Sequence, residues 1–374
     1  MTIKVLSVFG TRPEAIKIAP IVRLLKETPG VESRVCVTAQ HRQMLDQVLE
    51  LFRIKPDYDL DLMRDNQSLA QISASIFTLL DPVLESFQPD WVLVVGDTTT
   101  VVTTSQLAYY RRIKLGHVEA GLRTHNKWHP FPEELNRRIA TVIADLHFAP
   151  TEWSKGNLLR EGVDEKNIVV TGNSVIDALH FVAQQPEPPQ ITKLLERLEV
   201  RGPAARRLIL VTAHRRENFG RPLENICQAL KELASRGDVE IVDPVHLNPN
   251  VQAPLNHFLK GAPHITLLPP LDYLPMVHLM KHASLILTDS GGLQEEAPSL
   301  GIPVLVLRET TERPEGVEAG TLKLVGTETS QILREANHLL DDPIAHAEMA
   351  RAANPYGDGH AAERIIHALM HTVP

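Results

Sequence analysis

The sequence predicts the α/β class, as two doubly wound parallel sheets facing a cleft. Three observations lead there. Short apolar runs rich in Val and Ile alternate with helical patterns of roughly 10–18 residues, the signature of buried parallel strands with helical crossovers. The chain has 374 residues, enough for two domains at ~100–200 residues each. The strongest Pro-rich break, QQPEPPQ at 184–190, divides it near the middle.

In chain order, the first half offers strands at VLSVF (5–9), RVCVT (34–38), WVLVV (91–95), KLGHVE (114–119), LHFA (146–149) and IVVT (168–171). The second half offers LILVT (208–212), EIVDPV (240–245), ITLL (265–268), LILT (285–288) and VLVL (304–307). The boundary falls near 172–190, giving a first domain over 1–172 and a second over 173–354. The segment 355–374 holds a last helix, GHAAERIIHALM, which is expected to pack back on the first domain. Neither a short-period repeat nor a low-complexity tract interrupts this pattern.

Composition narrows the function. Hydrophobic content of 43% and charged content of 22% are those of a globular protein. A net charge of −8 argues against general nucleic-acid binding, which needs a basic footprint. Cys36 and Cys227 lie in apolar stretches and read as core thiols rather than a disulfide or metal set. The chain opens directly into a strand, so a signal peptide is not visible. Apolar runs stay short of the ~18 residues that span a bilayer. The expectation is a soluble, cytoplasmic protein without membrane insertion.

Ligands of doubly wound sheets sit at the carboxyl ends of the strands. After the first strand comes FGTRPEAIK (9–17), where a Gly-Thr turn leads into a Pro-started helix flanked by Arg12 and Lys17. It resembles an anion-binding turn, but the dinucleotide fingerprint G-x-G-x-x-G is absent. GDTTT (96–100) places Asp97 at a strand end, where it could equally be a helix cap. HVEAGLRT (117–124) supplies Glu119, and HPFPEELNRR (129–138) supplies Glu133 and Glu134 at a helix start, a favourable place for any carboxylate. Taken together, Asp97, Glu119 and Glu133 suit the removal and return of a proton.

In the second half, VTAHRRENFG (211–220) groups His214, Arg215 and Arg216 as a cationic cluster, and DPVHLNPN (243–250) puts His246 at another strand end. TDSGGLQEEA (288–297) has the order of a phosphate cradle: strand, small residues, helix start. Ser290, Gly291 and Gly292 are expected to turn N–H groups to the anion. Arg308 and Arg313 in VLRETTERPE (306–315) add positive charge. The two glutamates beside the cradle then need separate explanations. Glu295 and Glu296 point about 100° apart around the helix, and Glu295 is expected to be a solvated or dipole-favoured carboxylate. An anionic handle held by one domain and proton chemistry supplied by the other is the layout of a sugar-nucleotide enzyme.

Read in order, VFGTRPEAIK, TAQHRQMLDQVL, GDTTT, GHVEAGLRT, PEELNR, TGNSVIDAL, VTAHRRENFG, PVHLNPN, LTDSGGLQEEAPSLGIPVLVLRETTERPE and NPYGDGHAAERI closely resemble the non-hydrolysing UDP-N-acetylglucosamine 2-epimerases, over essentially the whole chain. That resemblance implies two Rossmann-like domains in the glycosyltransferase-B arrangement. It implies interconversion of UDP-N-acetylglucosamine and UDP-N-acetylmannosamine by elimination of UDP and re-addition, with neither NAD nor metal, in a homodimer. It carries catalysis to Asp97, Glu119, Glu133 and His214. UDP and substrate go to Arg12, Lys17, His214, Ser290, Gly291, Gly292, Glu296 and Arg313. A regulatory UDP-N-acetylglucosamine site would match Gln40, His41, Gln43, Gln67, Arg215 and His246. The chain departs from the family pattern at Asp243, where a Tyr commonly precedes PVH, at Asn66, which matches a regulatory arginine, and at Val95, where a His is common. A hydrolysing epimerase, or a glycosyltransferase on the same fold, is the alternative; the three carboxylates weigh against the transferase.

Overall fold

A computed structural model describes residues 2–38, 42–62, 64, 67–202 and 205–372, and of Arg42 and Gln43 the backbone only. The chain divides into two compact units. One comprises Met1–Ala178 with Tyr356–Pro374, and the other Leu179–Pro355. The division falls within the helix Ser174–Ala183.

The first unit is built on strands β1 (Ile3–Phe9), β2 (Val31–Val37), β3 (Tyr58–Asp59), β4 (Trp91–Val95), β5 (Lys114–Val118), β6 (Leu146–Ala149) and β7 (Ile168–Val170). They pair in the order β3-β2-β1-β4-β5-β6-β7, and every pairing is parallel. The second unit is built on β8 (Arg207–Thr212), β9 (Val239–Pro244), β10 (Ile265–Leu268), β11 (Ala283–Thr288), β12 (Val304–Val306) and β13 (Leu322–Leu324). Their order is β10-β9-β8-β11-β12-β13, again all parallel. These are two doubly wound, Rossmann-like sheets. In each, the strand order reverses beside the first strand, between β1 and β4 and between β8 and β11. A reversal of this kind opens a crevice at the carboxyl ends.

Burial explains why these segments are strands. β4 reads WVLVV and all five residues are buried, as they must be when helices cover both faces. Leu6, Val8, Val92, Val94 and Leu115 pack with the helix Leu69–Phe87 to make the first core. Ile209, Val211, Ile241, Leu285 and Leu287 pack with the helix Arg221–Ala234 to make the second. Cys36 and Cys227 are both fully buried free thiols, and burial pushes each up to about 12.

Within the first unit the C-terminal helix Ala361–His371 lies on the helix Arg12–Glu27. Asp177 caps it, accepting from the N–H groups of Ala361 and Ala362 at 3.2 and 2.9 Å. At Gly172 (φ +84°) a Cβ would lie 3.2 Å from Cα of Gly357, so the chain crosses there glycine on glycine. Among the described residues, no helix is long and apolar enough to cross a membrane.

Candidate functional site

At the carboxyl end of β1, Thr11 caps the helix Arg12–Glu27 in a capping box with Glu14. Buried Glu14 accepts from N–H of Gly10 and Thr11, both at 2.8 Å, and from the Thr98 hydroxyl at 2.5 Å. Burial raises its pKa, and these hydrogen bonds oppose the rise. Glu14 therefore ties the turn after β1 to the turn after β4. Arg12 heads the helix, half-buried.

After β4 the chain turns at Gly96 (φ +80°), and Asp97 follows. Asp97 is not the helix cap. That role falls to Thr98, whose hydroxyl accepts from Val101 N–H. Asp97 is thereby left to other partners. Its Oδ2 lies 2.5 Å from Arg137 Nη2, and its carbonyl accepts from Asn136 Nδ2 at 2.9 Å. His117, buried on β5, holds the same turn through Nε2 and the Gly96 carbonyl, 2.7 Å apart. Burial lowers this histidine to about 4, so the ring is neutral and Nε2–H is the donor.

Glu119 follows β5 with φ +62°, a left-handed conformation that is uncommon outside glycine and typical of functional turns. Its side chain is 5% exposed, with Oε1 2.5 Å from Lys17 Nζ and 3.1 Å from Asn173 Nδ2. Oε2 points towards Gly96, 3.5 Å from where a Cβ would stand on that glycine. Asp97 and Glu119 are thus brought together, each against a cation from a distant helix. Glu133 begins the helix Glu133–Ile143, and its Oε2 is buried without a hydrogen-bond partner. The neighbouring Glu134 is fully buried and structural. It accepts from N–H of Thr124 and His125 at 3.0 and 3.1 Å and pins that loop.

In the second unit, fully buried Asp289 organises the strand ends. Its Oδ2 accepts from N–H of His214 and Arg215, both at 2.8 Å, and from Asn218 Nδ2 at 2.9 Å. The His214 ring stacks on His246, with centroids 5.2 Å apart and planes 17° apart. Burial lowers the His214 pKa, and the Asp289 charge opposes this. Burial thus favours the neutral His214 ring, while of the two arginines beside it Arg215 is half-buried and Arg216 is exposed.

TDSGGLQEEA forms the end of β11, a short helix Gly291–Glu296, and a 3-10 turn Ala297–Leu300. The N–H of Ser290 is already given to Thr288 Oγ1 at 2.9 Å, which revises the expectation that it faces an anion. Gly291 and Gly292 begin the helix, where N–H groups have no preceding turn to accept them. Glu295 is not solvated. It is 2% exposed and pairs with Arg313, Oε1 to Nε 2.6 Å. Arg308 is likewise committed, to Glu217 at 2.5 Å and Glu312 at 2.8 Å. Glu296 is 9% exposed and lies near the Tyr273 hydroxyl, whose pKa is raised by burial and by that carboxylate.

Asp243 ends up inside β9, 1% exposed, with Oδ2 buried and unpartnered. Burial, aided by the charge of Asp289, raises it to about 8. Of the residues matched to a regulatory site, Gln40 and His41, like Asn66, lie outside the described residues, and so does the side chain of Gln43. Gln67 belongs to the first unit and accepts from Arg64 N–H at 3.0 Å. Arg215 and His246 belong to the second. Sequence reasoning missed Arg137, Asn136, Asn173 and Asp289, partners of the residues it named, and His117, which holds the turn at Gly96. Among the described residues, no group of three or more His, Cys, Asp or Glu side chains is placed to hold a metal ion.

Parallel sheets with charged residues gathered at their carboxyl ends define a Rossmann-like α/β protein of two units. Comparison with known proteins is more specific. Residues 23–370 match the family model described as UDP-N-acetylglucosamine 2-epimerase. The chain is 56% identical over 368 residues to the UDP-N-acetylglucosamine 2-epimerase of Yersinia pestis, covering 98% of each chain. It is 55% identical over 370 residues to that of Escherichia coli K12, again 98% of each. The crystal structure of the Neisseria meningitidis UDP-GlcNAc 2-epimerase bound to UDP-GlcNAc superposes with a TM-score of 0.91. The two are 50% identical, with 99% of this chain and 100% of that one covered. The chain belongs to the UDP-N-acetylglucosamine 2-epimerase family.

Proposed function

We propose that this protein interconverts UDP-N-acetylglucosamine and UDP-N-acetylmannosamine without hydrolysis. The observation that carries the reading is the pair of carboxylates at the carboxyl ends of β4 and β5. Asp97 is held by Arg137 and Glu119 by Lys17, each at 2.5 Å. In the forward direction a carboxylate takes the proton from C2, the C1–O bond breaks, and UDP leaves with the electron pair. The product is 2-acetamidoglucal. UDP then adds back to C1 while C2 is protonated on its other face, so no oxidation state changes. The C2 proton is weakly acidic, so positive charge must develop at C1 as UDP departs. Preset positive groups lower the cost of that departure. We assign the diphosphate to Arg12, Gly291, Gly292, Arg313, the Ser290 hydroxyl and His214. We assign the ribose to Glu296, and proton transfer to Asp97, Glu119 and Glu133. Lys17 lies near the substrate in this reading.

The test is an NMR time course on UDP-N-acetylglucosamine. The expected outcome is a steady mixture of the two sugar nucleotides with free N-acetylmannosamine absent. Release of the free sugar with UDP in step would replace this reading with the hydrolysing one. The same reading makes the protein a cytoplasmic homodimer. A monomer in sedimentation velocity, or recovery outside the cytoplasmic fraction, would remove those parts.

A further inference from the structure

Glu295 places an acid beside a turn assigned above to a diphosphate. Its side chain is 3% exposed, and Oε1 lies 2.6 Å from Arg313 Nε. Arg313 in turn lies against Gly291. A Cβ on that glycine would stand 2.5 Å from Nη1, 2.7 Å from Cζ and 2.9 Å from Nη2. Glu295 thus grips the Nε edge, while the Nη end of the fork lies over the glycine. Nη1 is also 3.8 Å from Glu312 Oε2, a looser contact.

The surrounding bonds make this arrangement rigid. Arg313 N–H donates to Thr311 Oγ1 at 3.2 Å, and that hydroxyl donates to Gln294 Oε1 at 2.6 Å. The Glu295 carbonyl accepts from Asn354 Nδ2 at 2.9 Å, and the same amide reaches Ser299 Oγ at 2.6 Å. The loop 311–313 and the helix Gly291–Glu296 are therefore joined through consecutive side chains, Gln294 and Glu295. An arginine is long and rotamer-rich, and fixing it at the moment of binding is costly. Here it is fixed in advance.

We propose that Glu295 is a positioning residue: it holds the Arg313 guanidinium over Gly291, preset to receive the nucleotide diphosphate. This rests on the nucleotide reading above. Two effects of opposite sign decide its test. Removing an acid near a diphosphate relieves repulsion and tightens binding; losing the grip on Arg313 weakens it. Positioning wins because Glu295 holds the Nε edge of a half-buried guanidinium that lies against Gly291, and losing that carboxylate loosens the hold.

The experiment is calorimetric titration of UDP and of uridine, which lacks phosphates, into the wild-type protein and its variants. Glu295→Met should weaken UDP about 10–100-fold, the range of a charge-assisted hydrogen bond. Uridine affinity should stay within about 3-fold, because the site for the base is untouched. Glu295→Gln keeps an acceptor and should fall between. In an Arg313→Met background the effect of Glu295→Met on UDP should vanish, as for two residues acting through one contact. UDP binding unchanged or tighter in Glu295→Met, equal loss of UDP and uridine, or additive effects in the double variant would each overturn the proposal. Failure of the wild-type protein to bind UDP would instead overturn the nucleotide reading.

Discussion

Asp243 gives a prediction with a worked magnitude. The carboxyl titrates near 3.8 in an unstructured chain and near 8 in the fold, where burial and the charge of Asp289 oppose ionisation. Between those pH values the unfolded chain releases the proton and the folded chain keeps it. The raised pKa therefore costs stability as pH rises through that window, and the loss is complete above about 8. At about 1.36 kcal/mol per pH unit, three units from pH 5 to pH 8 amount to about 4 kcal/mol. Relaxation of the interior brings the expected value to about 2–4 kcal/mol. Asp243→Asn keeps the shape and removes the proton, so it should stabilise the protein progressively with pH. The assay is urea unfolding of both proteins at pH 5 and pH 8. The variant's advantage should grow by about 2–4 kcal/mol between them. An advantage that is constant to within about 0.5 kcal/mol, or that shrinks as pH rises, would refute the reasoning.

Three further outcomes concern the site. Asp97→Asn, Glu119→Gln and Glu133→Gln should each lower turnover about 100-fold or more, the low end for general acid–base groups; near-wild-type turnover in any one removes it from the mechanism. His214→Ala should weaken UDP binding or turnover, and unchanged values for both would reject its assignment. In Gly291→Ala the new methyl would stand 2.5 Å from Arg313 Nη1 and displace the guanidinium. UDP affinity should fall in calorimetry, and an unchanged value would show that Arg313 is not needed in that place.

Much of the fold is legible because a strand covered on both faces must be apolar throughout. WVLVV, LHFA and ITLL coincide with β4, β6 and β10. β3 and β13 are not legible in the sequence: β3 spans two residues, and β13 has an exposed centre, so neither makes an apolar run. At the site, sequence points to the strand-end residues but not to their partners. GDTTT holds several residues able to cap a helix, and backbone geometry gives the cap to Thr98, with φ −73° and ψ 173°. Arg137 is 40 positions from Asp97, and Asn173 is 54 from Glu119, distances that only the fold closes. Helical spacing correctly separates Glu295 from Glu296 by direction. What lies on the Glu295 side is an arginine 18 residues further on, so a carboxylate read as solvated is buried in an ion pair. Asp243 stands out in the sequence as a departure from the family pattern, but its raised pKa depends on burial inside β9.

The central claim is that C2 of the sugar gains and loses a proton during turnover. The direct measurement is incubation with UDP-N-acetylglucosamine in deuterated water, followed by mass and NMR analysis of the recovered sugar nucleotides. The account predicts deuterium at C2 in both the gluco and manno products, in step with their interconversion. Interconversion with the original hydrogen retained at C2, or an absence of both exchange and manno product, would contradict it.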